Sequence, residues 1–181
     1  MDKSSLRKRM RKHGPLPVAV NDRIESALFS WLSPRLPGTI SAFLPMEGEV
    51  DLRPLMSRLP GWRWVLPRVE TDRSVTFRDA ASPREVHRFG MEQPTDAGSI
   101  IPIQEIDVLL VPGLAFDRRG GRLGNGAGHY DRILASARAD AVSIGMAPSS
   151  RLVDAVPTEG HDVSVAYLAT EEGVVSCSPS G

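Results

Sequence analysis

The sequence predicts an α/β protein: a single-domain, three-layer α/β/α fold around a mostly parallel sheet. Three observations predict it. Short apolar runs alternate with amphipathic stretches, the order that builds a parallel sheet with helices on both faces. The run Asp107-Val-Leu-Leu-Val111 is almost wholly apolar, as a strand buried on both faces must be. No repeat or linker-like stretch divides the 181 residues. Residues 1–181 are therefore read as one domain, with about 172–181 a flexible Ser/Pro/Gly-rich tail.

The elements follow from periodicity and punctuation. Lys3, Arg7 and Arg11 recur on one helical face and Leu6 and Met10 on another, until Gly14-Pro15 breaks the helix. A second helix is predicted from about Asn21 to Trp31, with Ile24, Leu28 and Trp31 as its apolar stripe and Asp22 with Glu25 as a capping box. Thr39–Leu44 reads as a strand, residues 50–59 as a short helix and Trp64–Leu66 as the next strand. Ser74–Arg78 and Glu85–Phe89 alternate like the two arms of a hairpin. After the apolar run at 107–111 comes a long loop, Pro112–Gly128, with little structure of its own. A helix from about His129 to Ala139 and strands at Ala141–Met146 and Ser164–Leu168 complete the pattern.

Lys+Arg and Asp+Glu both number 22, so there is no net charge to draw the protein to nucleic acid or to an anionic membrane. No apolar run reaches the ~20 residues that span a bilayer, and the basic N-terminal stretch lacks the apolar centre of a secretory signal. We read the protein as a cytoplasmic monomer with small-molecule partners. Cys177, the only cysteine, has no partner for an intrachain disulfide and no neighbours that would activate it.

In parallel α/β sheets ligands sit beyond the C-terminal strand ends. The loop after Val111 is therefore the candidate site. Gly124, Gly126 and Gly128 lie just before a predicted helix, where glycine allows close approach of a ligand to backbone N–H groups and the helix start adds a partial positive charge. Arg122 can grip phosphate oxygens with two parallel bonds. Together these make a phosphate cradle, although solvated glycine-rich loops share the pattern. The Walker sequence is absent, and the glycines come too late in the chain for a dinucleotide fingerprint.

The wider pattern is more specific. Phe116-Asp-x-x-Gly-x-Arg-Leu-Gly-x-Gly-x-Gly-x-Tyr-Asp131 resembles the signature of the 5-formyltetrahydrofolate cyclo-ligase family, also called 5,10-methenyltetrahydrofolate synthetases. The resemblance extends through Lys3-Ser-Ser-Leu-Arg7, Phe43-Leu-Pro-Met-Glu-Gly-Glu-Val50, Leu66-Pro-Arg68, Gly90-Met-Glu-Gln-Pro94 and Val156-Pro-x-x-x-His-Asp162. It implies a fold similar to the NagB/RpiA/CoA-transferase group. It also implies ATP-driven cyclisation of 5-formyltetrahydrofolate to 5,10-methenyltetrahydrofolate with Mg²⁺ as cofactor, releasing ADP and phosphate. By the same resemblance Lys3, Arg7, Arg122, Leu123, Gly124, Asn125, Gly126, Ala127, Gly128, His129 and Tyr130 contact ATP. Leu44 and Glu49 contact the folate, together with Asn125, Gly126, Ala127, Gly128 and His129. Asp131 and Asp162 attend Mg²⁺, and Arg122 and Asp131 carry the catalytic roles.

Taken singly, several of these residues have plainer readings. Lys3 and Arg7 fit a solvated helix face, Glu49 and Asp131 are acids favourable near helix starts, and Asp162 fits a loop or cap. The chain departs from its relatives at Asn125, often basic, at His129, often tyrosine, at Ala147, often aromatic, and at Ala166, often acidic. Asn125, His129 and Ala166 keep open one alternative, a catalytically weak relative that binds reduced folates; a third reading is an ATP-binding enzyme acting on another N-formyl or carboxyl substrate.

Overall fold

Strands that are buried on both faces feed alternate side chains into two separate cores. The chain does this along its central strands. The structure is a computed structural model and describes residues 2–87 and 90–178. In chain order it places α1 (Lys3–Met10), α2 (Val18–Leu32), β1 (Thr39–Ser41), α3 (Arg53–Arg58), β2 (Arg63–Val69), β3 (Val75–Asp79), β4 (Arg84–Val86), β5 (Glu92–Pro94) and β6 (Ile100–Ile101). There follow β7 (Val108–Pro112), β8 (Ala115–Asp117), β9 (Arg122–Leu123), α4 (His129–Ser136), β10 (Val142–Met146), β11 (Leu152–Val153), β12 (Tyr167–Thr170) and β13 (Gly173–Ser176).

The main sheet has the order β13-β12-β10-β7-β1-β2-β3-β6. The strands from β12 to β2 pair in parallel, while β13, β3 and β6 are antiparallel additions at the two edges. This is the mostly parallel α/β sheet that the alternating pattern predicts. Val108 and Leu110 of β7 point into a core with Ile24, Leu28 and Leu32 of α2 and Leu55 of α3. Leu109 and Val111 point into the opposite core with Ile133 and Leu134 of α4. Helices thus cover both faces. Burying each such side chain contributes about 1.5–3 kcal/mol, so Leu28→Ala, at a fully buried position, costs about 2–5 kcal/mol.

Several local expectations are corrected. α2 begins at Val18, with Pro17 at its N-cap and no side-chain cap. Proline's fixed φ starts the helix early, so Asp22 and Glu25 fall inside it, and Glu25 is buried against Arg58 of α3 at 2.8 Å. The two arms predicted at 74–78 and 85–89 do not pair with each other. β3 pairs with β2 and β6, and β4 pairs with β5. Arg88 and Phe89 of the second arm lie outside the described residues.

The loop 112–128 also has structure of its own. β8 pairs with β9 and β11 in a small second sheet. Buried Asp117 staples it, accepting from the N–H groups of Arg119 and Gly121 through Oδ1 and of Val156 through Oδ2. Two-residue strands held by one carboxylate leave no periodic signal. The tail expected from 172 onward is instead strand β13, paired with β12, and Ser178 still donates to the Arg118 carbonyl. Residues 179–181 lie outside the described residues.

Candidate active site

The C-terminal ends of β1, β2 and β7 open into a cavity of about 1380 Å³. That exceeds the roughly 300–1,000 Å³ of a usual single-ligand pocket, leaving room for two substrates side by side. The residues after β1 form one wall with Phe43, Leu44, Met46 and Glu49, and the end of β2 forms the next with Leu66, Pro67 and Val69. Pro112 and Gly113 lie at the mouth of β7, and α1 closes over them with Lys3 and Arg7. All the residues expected at the site line this one cavity: Lys3, Arg7, Leu44, Glu49, the whole stretch from Arg122 to Asp131, and Asp162.

The glycine run has the geometry of an anion cradle. Gly126 (φ 106°) and Gly128 (φ 66°) lie in the left-handed region that other residues avoid. Gly128 is the N-cap of α4 and supplies no side-chain cap. The N–H groups of residues 125–131 donate to no described residue, so they remain available to a ligand. Gly124 matters for a different reason: a Cβ there would lie 2.6 Å from Nη1 of Arg122, so the guanidinium would have to shift. The Leu123 side chain is fully buried in a cluster with Leu6 and Met10 of α1, which seats that helix on the loop.

The candidate charges occur as two ion pairs. Nη2 of Arg122 donates to Oδ2 of Asp131 at 2.9 Å, with only 6% and 14% of the two side chains exposed. Nη1 of Arg122 reaches the Pro112 carbonyl at 3.4 Å, and its buried Nε has no partner among the described residues. Nζ of Lys3 donates to Asp162 at 2.6 Å, across 159 residues of sequence. Burial raises the Asp162 carboxyl, but the Lys3 ammonium and the Glu159 N–H outweigh it and hold it below its ordinary value. Arg7 is a clasp: its Nε donates to the Gly124 carbonyl at 2.9 Å, tying α1 to the cradle.

A second group of titratable side chains lines the cavity at Glu49, His129 and Tyr130. Burial raises the Glu49 carboxyl, opposed by the Met46 N–H and the charge of Arg151. Burial and then the Glu49 charge keep the Tyr130 phenol neutral far above its ordinary range. Burial lowers His129, helped by the charges of Arg132 and His87.

Sequence reasoning missed one wall. Glu70, Glu85 and Gln93 line the cavity and belong to a network from four strands. Arg68 bonds Glu70, Glu85 and the Pro94 carbonyl, Arg78 bonds Glu70, and Gln93 bonds Glu85 and the Val69 N–H. The only available signal was that Arg68 and Gln93 fall in motif segments. Of the departures from relatives, Asn125 and His129 line the cavity, whereas Ala147 and Ala166 do not.

The family model for 5-formyltetrahydrofolate cyclo-ligases matches residues 2–171. A 5-formyltetrahydrofolate cyclo-ligase of Mycolicibacterium smegmatis is 34% identical over 175 residues, 89% of each chain. That of Escherichia coli is 31% identical over 144 residues, 75% of this chain and 79% of its own. Among solved structures, the 5,10-methenyltetrahydrofolate synthetase of Aquifex aeolicus superposes with a TM-score of 0.85 at 30% identity, covering 100% of this chain and 95% of that one.

Proposed function

The chain belongs to the 5-formyltetrahydrofolate cyclo-ligase family, and from that premise we propose that it converts 5-formyltetrahydrofolate to 5,10-methenyltetrahydrofolate at the expense of ATP. The observation that carries the proposal is the free N–H run of 125–131, set in one cavity with the Arg122–Asp131 and Lys3–Asp162 pairs. The fold supplies a phosphate cradle on one side and an apolar wall on the other.

The formyl oxygen is a poor leaving group. It attacks the γ-phosphorus of ATP, and the bond to the bridging oxygen breaks to release ADP. N10 then attacks the activated carbon, phosphate departs, and the N10 proton passes to solvent. Phosphoryl transfer of this kind rests on positioning and charge neutralisation and needs no protein nucleophile. The cradle N–H groups hold the polyphosphate in line, and Lys3 and Arg122 supply positive charge. Leu44, Phe43 and Leu66 exclude water from the folate side, where Glu49 offers a carboxylate.

A magnesium ion fits the donor set. No cluster of three or more His, Cys, Asp or Glu side chains stands ready for a metal among the described residues. Mg²⁺, however, usually takes only one or two carboxylates and completes its shell with water and phosphate oxygens. Asp131 keeps Oδ1 without a partner among the described residues, so it is the better placed ligand; both oxygens of Asp162 already accept from Lys3. The ion would neutralise charge on the phosphates. The test is to incubate the protein with 5-formyltetrahydrofolate, with and without ATP and Mg²⁺, and follow the near-ultraviolet absorbance of the methenyl product. Absence of product at every pH tried, with ATP and Mg²⁺ saturating, would refute the proposal. Folate binding without phosphate release would establish a folate-binding relative instead.

A further inference from the structure

Arg151 ends the short 3₁₀ turn Ser149–Arg151, and only 5% of it is exposed. Arginine does not lose its proton in proteins, so this is a buried charge, and burial disfavours it. No carboxylate lies within ion-pair distance of it among the described residues. Its Nη2 donates to the Gly14 carbonyl at 3.3 Å, just beyond α1. Gly48 packs against this same contact: a Cβ at that position would lie 2.5 Å from Nη2 of Arg151 and 3.0 Å from the Gly14 oxygen. Gly48 also has φ 80°, so the turn needs glycine for conformation and for space alike. Three segments distant in sequence therefore meet at one guanidinium. The next residue after Gly48 is Glu49, whose side chain lines the cavity.

We propose that Arg151 is a positioning residue for this site: it fixes the turn 45–50 against the end of the N-terminal helix and so presents the Glu49 carboxylate to the substrate. The inference rests on the reading that the cavity takes a reduced folate. A buried cation without a bonded carboxylate is costly, and the charge that offsets part of that cost here is Glu49. The influences on Glu49 come from every side. Met46 of its own turn donates a backbone N–H at 3.0 Å, Tyr130 of α4 faces it with a neutral phenol, Lys3 and Arg7 of α1 line the same cavity, and Arg151 stands behind. Burial raises the Glu49 carboxyl, and Arg151 opposes that rise. Removing the Arg151 charge therefore moves Glu49 toward the protonated acid as pH falls from neutrality.

The experiment compares wild type, Arg151→Met and Arg151→Lys. Carboxyl NMR of the ligand-free protein titrates Glu49, assigned with Glu49→Gln, and calorimetry measures 5-formyltetrahydrofolate binding without ATP. Arg151→Met is expected to move the Glu49 titration upward and to weaken folate binding about tenfold at neutral pH. Arg151→Lys, which keeps the charge, restores most of both. A Glu49 titration identical in wild type and the folded Met variant would overturn the proposal. So would equal damage in the Met and Lys variants without any Glu49 shift, which marks packing alone. Should Arg151→Met not fold, the Lys variant and the response of Glu49 to it decide the question. A wild-type protein that binds no folate would refute the reading of the cavity, and the ligand-free titration would still report separately on Arg151.

Discussion

Arg122→Ala tests the centre of the site. The change removes a charge-assisted bond of 2.9 Å to Asp131 and a longer contact to the Pro112 carbonyl, and it leaves Asp131 with 14% of its side chain exposed and no cation. Losing one member of a fully buried pair costs about 3–5 kcal/mol. Asp131 borders the cavity and regains some water, so about 2 kcal/mol of stability is the expected loss. For a chain of this size that lowers Tm by roughly 4–8 °C. Loss of the proposed phosphate contact, worth about 2–3 kcal/mol, should lower kcat/KM for ATP roughly 30- to 150-fold. The two partners are bonded, so the effects should couple. In Arg122→Ala/Asp131→Asn the second change also removes the stranded charge, and the double variant should be more stable than the sum of the single changes by about 1–2 kcal/mol. Urea unfolding of the four proteins and ATP kinetics measure both quantities. Additivity within about 0.5 kcal/mol, or wild-type ATP kinetics in Arg122→Ala, would refute the reasoning.

The glycines should fail for different reasons. Gly124→Ala drives a Cβ into the Arg122 guanidinium and should mimic part of Arg122→Ala, whereas a Cβ at Gly126 would meet the Arg7 guanidinium only in ordinary van der Waals contact, so Gly126→Val acts chiefly by straining the backbone at φ 106°. Both should raise the ATP KM above that for folate, and normal ATP kinetics in both would count against the cradle. Lys3→Met removes the cation that holds Asp162 below its ordinary value near 3.8. That stabilisation is present above the unfolded carboxyl value and is lost as pH falls through the lower folded value. The stability gap between wild type and Lys3→Met should therefore be full at neutral pH and close in strong acid; a gap independent of pH would contradict the pair. His129→Ala should raise the folate KM more than the ATP KM, and any acid limb due to His129 should lie below its ordinary 6.5 because burial lowers it; identical pH profiles in wild type and variant would remove His129 from the site. Burial pushes the Cys177 thiol up to about 11, so iodoacetamide at neutral pH should label it slowly and leave activity intact.

The central sheet was legible because its signal is local. An apolar run flanked by charge states its own burial, and the face alternation of β7 follows without reference to any partner. The glycine loop at the cavity was legible for the same reason, since glycines, a cation and a helix start adjoin in sequence. What stayed hidden depends on residues far apart. Lys3 and Asp162, or Arg151, Gly14 and Gly48, carry no mutual spacing that a linear reading can detect. The wrong hairpin at 74–89 came from correct alternation assigned to the wrong partner, because period-two patterning gives a strand's wet face and not its neighbour. β13 was missed because composition near the C-terminus resembled a tail, while its pairing with β12 is a backbone matter.

The seating of α1 has a consequence for how the protein comes to be competent. Eight residues are too few for a stable helix in water, and α1 has only Leu6 and Met10 to bury, in a pocket built by Leu114, Ala115, Leu123 and Val156. Its ammonium anchor, Asp162, is the latest of these to leave the ribosome. During synthesis the segment 3–10 therefore lacks part of its seat until Val156 and Asp162 have emerged. Docking of the helix and closure of the cavity by Lys3 and Arg7 are then one event, which a bulky peptide fused ahead of Lys3 would burden more than the folding of the sheet.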